Sequence, residues 1–401
     1  MTELFFEKLL NFGSEWKVER VEFNEYDEVD IYLKWDLQEH KNRNCDQFEF
    51  VHDYVDYRRW RHLDIMQFKT FINAKIPRVK HKDGKIERIE IPWSESGKRH
   101  TNLFEICVIE WLLATKNQTK TAQMLRCGFN VVNKIMHNAT KRGLERRDVN
   151  EVYKQLSIDE KSFQKGHNYV TVLSNPEKGV VIDVVKDRTK EATKKLLSSS
   201  LTEYQKSKVE VVSLDMWKAF NTVVDEVFPK AKKVHDRFHL IKYLNEAVDN
   251  VRKREVKKNE VLINSRYSFL KNKENLTHKQ YFKFEEVYRA NTQVGYVWGL
   301  KESFKSLFGC KDYQEAFKRF SDWNSFVMWE AIPELTKVAV MFSNHIRGVC
   351  NALVETISNA MAERLNGKIQ IIKTIGRGYR KFKNFRSAIL FFNGGLNLNP
   401  L

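Results

Sequence analysis

The chain of 401 residues has only six prolines and 16 glycines, and no low-complexity linker or internal repeat separates its parts. Domain borders must therefore be sought in changes of hydrophobic period, not in flexible spacers. Cysteine is scarce as well. The five cysteines (Cys45, Cys107, Cys127, Cys310 and Cys350) are dispersed, odd in number and form no C-x-x-C pair, which argues against a disulfide framework and against a regular zinc site. A run of about 18 apolar residues, the minimum for a membrane-spanning helix, is missing too. The opening MTELFFEKLL is acidic where a secretory leader carries a basic stretch ahead of an apolar one. A soluble cytoplasmic protein with no membrane partner is expected.

Positive charge, in contrast, is plentiful. Lysine and arginine number 69 against 52 aspartates and glutamates, giving a net charge of +17. Such an excess favours a polyanionic partner, nucleic acid ahead of an anionic membrane surface. The length allows two to four domains at roughly 100–200 residues each.

Five parts follow from the pattern. Residues 1–100 mix short alternating segments with basic-aromatic stretches, notably Tyr57-Arg58-Arg59-Trp60-Arg61-His62-Leu63, and read as a small β-rich module. Its Arg58, Arg59 and Arg61 can pair with phosphates, although such clusters also occur on ordinary strand surfaces. Residues 101–150 read as helices. A turn at Cys127-Gly128-Phe129 precedes a helix with the apolar stripe Val131, Val132, Ile135 and Met136, and Asn130, Asn133, Lys134 and His137 on its other face. This is the helix-turn-helix pattern, with a plain helical hairpin as the alternative. Residues 151–240 change period: strands at Leu156–Ile158, Tyr169–Leu173 and Val180–Val185, a lysine-rich helix over 189–206, then a strand at Val209–Leu214 and a short one at Ala231–Val234. Residues 241–345 are helical in pattern and interrupt this α/β unit. Residues 346–401 contain a helix from about Ser358 and a basic tail with Arg377, Arg380 and Lys381.

Three carboxylates stand out. Asp159 closes the first strand of the α/β unit and Asp215 the fourth; a carboxylate after an apolar run is costly unless solvated, paired or metal-bound. Each alone has a plainer explanation as a turn former or helix cap. Glu160 rivals Asp159, but strand neighbours face opposite ways and only one can enter a shared site. The third, Glu363, lies off the stripe Met361, Leu365, Ile369 and Ile372, sharing a face with Asn359, Asn366 and Gln370; alone it reads as a solvated surface glutamate. Together the three suggest a site for two hard cations, magnesium or manganese.

These blocks resemble the DDE transposases of bacterial insertion sequences, of the ISL-three group. The resemblance rests on Ile158-Asp159-Glu160-Lys161-Ser162-Phe163 with Lys165-Gly166-His167-Asn168-Tyr169, on Ser213-Leu214-Asp215-Met216 through Phe228-Pro229-Lys230-Ala231 into Asp236-Arg237-Phe238-His239, and on Ile357-Ser358-Asn359 with Glu363-Arg364-Leu365-Asn366-Gly367-Lys368-Ile369. Asp56–Asp64 resembles the N-terminal module of the group, so the likeness runs nearly end to end. It implies a ribonuclease-H-like core interrupted by an all-helical insertion and preceded by a zinc-finger-like module and a helix-turn-helix. It further implies Asp159, Asp215 and Glu363 as catalytic metal ligands, binding to the terminal inverted repeats of a mobile element and to target double-stranded DNA, and a homodimer or higher oligomer on the bacterial nucleoid. The spacing agrees: 215 − 159 = 56 residues, then 363 − 215 = 148, room for the insertion. One departure is that Cys45 stands alone and His81 lies near where the group has a cysteine, implying a degenerate finger that folds without zinc.

Asp236 and His239 form a D-x-x-H pair that resembles one in related transposase groups, and an auxiliary role is expected beside the alternative of a capping aspartate and a packed histidine. Trp298, Trp323 and Trp329 are expected in the insertion's core, with stacking on an unpaired base as the alternative. Two other readings remain open: a metal-dependent nuclease or resolvase without strand transfer, and an inactive descendant acting only as a sequence-specific DNA-binding protein.

Overall fold

The computed structural model describes residues 2–44, 48–164, 168–271, 273–290, 292–354 and 360–400. The chain folds as two compact units, residues 1–147 with 396–401, and residues 148–395.

In the first unit, α1 (Thr2–Leu10) precedes β1 (Trp16–Phe23), β2 (Glu28–Trp35), α2 (Leu37–Asn44), β3 (Phe48–Tyr54), β4 (Arg58–Arg61), β5 (Lys69–Ala74), β6 (Pro77–His81) and β7 (Ile86–Arg88). They form one sheet in the order β1-β2-β5-β4 and another in the order β3-β6-β7. Alternation along β4 sends Trp60 into the core between Arg59 and Arg61. There its ring meets Trp93 edge-on at 5.6 Å. Three helices follow: α3 (Asn102–Thr115), α4 (Gln118–Met124) and α5 (Phe129–Glu145). Thr101 and Asn117 cap the first two by accepting from the N–H groups of Phe104 and Lys120.

The border read at residue 100 falls inside this unit. Buried Glu105 of α3 accepts from Lys98, from His100 at 3.0 Å and from Arg142 of α5 at 2.7 Å, so strand-module and helical residues share one ionic cluster. Burial opposes ionisation of Glu105, but the three partners outweigh it and hold its carboxyl down at about 2. The chain's last residues return here: Arg142 also donates to the Leu398 carbonyl at 2.6 Å. Gly143 is needed at that contact, since a Cβ there meets Leu396 Cβ at 2.7 Å.

The second unit begins with β8 (Gln155–Gln164), β9 (Asn168–Asn175) and β10 (Val180–Lys186), continues through α6 (Lys190–Ser200) and α7 (Glu203–Ser207) to β11 (Val211–Leu214), and through α8 (Lys218–Val227) to β12 (Lys232–His235). The sheet order is β10-β9-β8-β11-β12. The first three strands are antiparallel, and β11 is parallel to both β8 and β12. Leu156 and Ile158 of β8 and Val212 and Leu214 of β11 share a buried cluster with Leu196 and Leu197 of α6 and Phe220, Val223 and Val224 of α8.

Helices then follow one another: α9 (Arg237–Glu255), α10 (Arg266–Leu270), α11 (His278–Arg289), α12 (Gln293–Lys305), α13 (Tyr313–Glu330), α14 (Pro333–Asn344) and α15 (Ile346–Val354). Their shared core, with Phe284, Phe304, Phe320 and Phe342, reaches back to Met216 and Val234 beside the sheet. The unit closes with α16 (Ala360–Ile375) and α17 (Phe382–Asn393).

Three local expectations need correction. Strand β8 does not stop at Asp159; it runs on to Gln164 because β9 keeps pairing with it, Asp159 opposite Val172 and Ser162 opposite Tyr169. The single helix over 189–206 is two, broken at Leu201, which is extended (φ −131°), and restarted by a capping box between Thr202 and Gln205. The segment with Arg377, Arg380 and Lys381 is a turn, not a tail. Beyond it Phe385, Ala388 and Ile389 recur at helical spacing and bury α17, and Arg386 forks onto Asp183 of β10 at 2.7 and 2.9 Å.

Candidate active site and nucleic-acid surfaces

The sheet register brings the strand carboxylates together. Ser157 pairs with Ser213 and Ile158 with Leu214, so the next residues, Asp159 in β8 and Asp215 just past the end of β11, follow level positions of adjacent parallel strands, whose backbones lie about 4.8 Å apart. Both share the parity of the small serines, opposite the face that Ile158 and Leu214 bury under α6 and α8. The same register pairs Leu214 with His235, and so sets Asp236, the first residue past β12, at that level.

Asp215 is packed, with 12% of its side chain exposed. Its Oδ1 accepts from the Met216 N–H at 2.6 Å, and His239 Nδ1 lies 3.5 Å from its Oδ2. Burial pushes its carboxyl above the usual range. His239 and the Met216 N–H pull it down, and the charges of Asp159 and Glu160 push it up again. Burial first, then Asp215 and two glutamates, Glu246 and Glu160, also raises the nearby Tyr243 hydroxyl to about 12. Asp159 is held from another direction, because Asn366 of α16 donates Nδ2 to its Oδ2.

Further along α16, Lys373 Nζ donates to the Ser162 carbonyl at 2.7 Å. Seven helical residues and three strand residues both span about 10 Å, so α16 runs beside β8. Leu365, Ile369 and Ile372 form its buried stripe. Glu363 lies in this helix three residues before Asn366, on the same face by helical spacing; its side chain is outside the described residues, as are Lys165, Gly166, His167, Ser358 and Asn359 altogether. Among the described residues no group of three or more His, Cys, Asp and Glu is arranged to hold a metal ion. Asp159 and Asp215 therefore offer part of a donor set: hard oxygen ligands, crowded against each other's charge, to which a divalent cation is suited.

Asp236 and His239 have mixed roles. Asp236 caps α9 by accepting from the Phe238 N–H at 2.8 Å, while His239 Nε2 lies 4.0 Å from it and Nδ1 faces Asp215. Reasoning on the sequence missed His235 at the end of β12. It is buried, its Nδ1 lies 3.2 Å from the Leu214 carbonyl, and a Cβ on Gly348 of α15 meets its Nε2 at 2.5 Å. Asn366 carried a signal, its place on the face of Glu363.

The proposed DNA-contact residues divide. Arg59 forks onto Asp30 at 2.8 Å and Glu28 at 2.9 Å over the ring of Phe71. Arg61 donates to the carbonyls of His62 at 2.6 Å and Thr70 at 3.2 Å and pairs with Asp64, and Arg58 donates to the Lys98 carbonyl at 3.2 Å. All three have structural partners within the first unit. On α5, Asn130 and Lys134 are exposed and Asn133 and His137 half-buried, and Arg377, Arg380 and Lys381 are exposed in the second unit. Trp323 is a core residue whose Nε1 donates to the Leu300 carbonyl at 3.0 Å; Trp298 packs edge-on against Phe284, and Trp329 is 75% exposed. Of the zinc-finger-like feature, Cys45 is outside the described residues, and His81 Nε2 lies 3.3 Å from Glu87. No described helix is long and apolar enough to cross a membrane.

Residues 156–389 match the sequence model of the DDE transposases of the ISL-three (ISL3) type, described as transposase. The transposase for insertion sequence element IS1557 of Mycobacterium tuberculosis (strain H37Rv) is 26% identical to this chain over 351 residues, 80% of this chain and 78% of that protein. The transposase for insertion sequence element IS1001 of Bordetella parapertussis is 26% identical over 384 residues, 92% of this chain and 93% of that protein.

Proposed function

The chain belongs to the ISL-three family of DDE transposases, and from that premise we propose that it moves an insertion sequence. In this reading it binds the element's terminal inverted repeats, cleaves the DNA at the ends and joins the freed 3′-hydroxyls to target DNA. The observation that carries the reading is the placement of Asp159 and Asp215 directly after level positions of adjacent parallel strands, with Asn366 of the Glu363 helix bonded to Asp159. The sheet supports a ribonuclease-H-like core: three antiparallel strands are followed by two parallel ones reached through helices.

Asp159, Asp215 and Glu363 are the proposed ligands of two magnesium or manganese ions, which their oxygen donors suit. When bound, such ions supply activation of the attacking hydroxyl and charge neutralisation at the leaving oxygen. The chain's own residues hold that chemistry in place. Asn366 fixes the rotamer of Asp159, the Met216 N–H fixes that of Asp215, and His239 Nδ1 faces the other Asp215 oxygen at 3.5 Å. Near-attack geometry depends on this rigidity.

Recognition of the repeats is assigned to the helix-turn-helix of α4 and α5. Asn130 and Asn133 suit base edges, and Lys134 and His137 suit phosphates. Arg377, Arg380 and Lys381 supply exposed positive charge in the catalytic unit. Because transposition joins two ends, a dimer or higher oligomer on DNA is part of the proposal.

Strand joining tests this function. Purified protein with magnesium, DNA carrying the element's ends and a target plasmid are expected to yield joined products. Cleavage without joining identifies a nuclease or resolvase, and specific end binding with neither activity identifies a regulatory descendant.

A further inference from the structure

Between β10 and α6, Arg188 is held by residues from three other places in the sheet. Its Nη1 donates to Glu160 Oε2 at 2.8 Å. The guanidinium carbon sits 4.2 Å from the ring centroid of Tyr169 on β9 and 4.5 Å from that of Trp217 after β11. Trp217 Nε1 donates back to the Arg188 carbonyl at 3.1 Å. Glu160 follows Asp159 directly and Trp217 comes two residues after Asp215, so the holders of Arg188 are neighbours of the two aspartates.

The arrangement is only half covered. Trp217 is 43% exposed and the Arg188 side chain 32% exposed, and ion pairs at such exposure contribute little to stability. What the cluster does is immobilise a guanidinium before any ligand arrives. The bonds described to other side chains use one nitrogen of a group with five N–H donors in a planar fork, the shape that grips phosphate. The fork is close enough to Asp215 for the two charges to interact. Asp159, Glu160 and Asp215 gather negative charge here, and a fixed cation at their edge gives a polyanion a place to rest.

We propose that Arg188 binds a backbone phosphate of the DNA end beside the Asp159–Asp215 pair, with Glu160, Tyr169 and Trp217 positioning it. The inference rests on the transposase reading and adds the group that registers the strand on the site. Glu160, excluded from the metal-ligand set by its place on the strand, becomes the residue that aims Arg188.

A neutral-phosphate scan tests it. Full-length wild type, Arg188→Gln and Arg188→Lys are titrated with end duplexes in which single phosphates near the cleaved bond are replaced in turn by methylphosphonate. Wild type is expected to lose about tenfold in affinity at one position, and Arg188→Gln to bind the native duplex about tenfold more weakly while ignoring that replacement. The slope of log K against log salt is expected to fall by about 0.9 in Arg188→Gln and by less in Arg188→Lys, which keeps the charge but not the fork. A merely structural arginine leaves the scan unchanged, so an Arg188→Gln protein with wild-type sensitivity at every phosphate overturns the proposal. If Arg188→Gln does not melt cooperatively, Arg188→Lys decides. Loss of the fork is expected to blunt its response at the same single phosphate, and an undiminished response there overturns the proposal. Wild type that cleaves the ends but yields no such position refutes this inference alone, whereas wild type that neither binds nor cleaves them refutes the transposase reading with it.

Discussion

At the scale of single residues, the Asn366–Asp159 hydrogen bond connects a helix to the first catalytic candidate. It fixes one carboxylate oxygen, while the other accepts from the Glu160 N–H at 2.7 Å. Partners of this kind typically change activity by about 10–100-fold when removed. Asn366→Ala is therefore expected to lower single-turnover end cleavage by about that factor, with end binding within about twofold of wild type; equal losses in cleavage and binding contradict a positioning role. Asp159 and Asp215 were candidates already in the sequence, because a carboxylate after an apolar strand demands a reason. Arg188 was not, since its partners come from separate strands and leave no local pattern.

At the scale of elements, the packing of β12 under α15 depends on one glycine. A Cβ on Gly348 stands 2.5 Å from His235 Nε2, and overpacking of this kind costs about 1–3 kcal/mol. Gly348→Ala should lower the urea midpoint accordingly at pH 7. Burial also lowers the pKa of His235 to about 4, so the folded state resists a proton that the unfolded chain accepts near 6.5. The sign follows: the contribution is complete above pH about 6.5 and is lost progressively as pH falls to about 4. Urea midpoints between pH 7 and 4 are expected to decline for the wild type through that window, and a flat profile contradicts a buried neutral His235. Element type was largely readable from hydrophobic period, and element ends were not. Strand β8 outlasts Asp159 because β9 supplies hydrogen bonds that no local composition announces. The break before α7 was readable, in the Thr202-Glu203-Tyr204-Gln205 capping box.

At the scale of the whole molecule, a net charge of +17 pointed to a polyanion, and the family match agrees with that direction. The division into two units was only partly legible. The Glu105 cluster with Lys98, His100 and Arg142 fuses strand module and helices that composition separates, and residues 396–401 rejoin the first unit from the far end of the chain. Such long-range closure has no sequence period. Asp159 and Asp215, with Glu363, are proposed to form the cleavage site of a metal-dependent transposase. The most direct test places the DNA flanking the gene on a plasmid, adds magnesium and full-length protein, and measures end cleavage and end binding for wild type and Asp215→Asn. Cleavage is expected from wild type and none from Asp215→Asn, with binding retained; cleavage by Asp215→Asn at the wild-type rate means that Asp215 is not in the site.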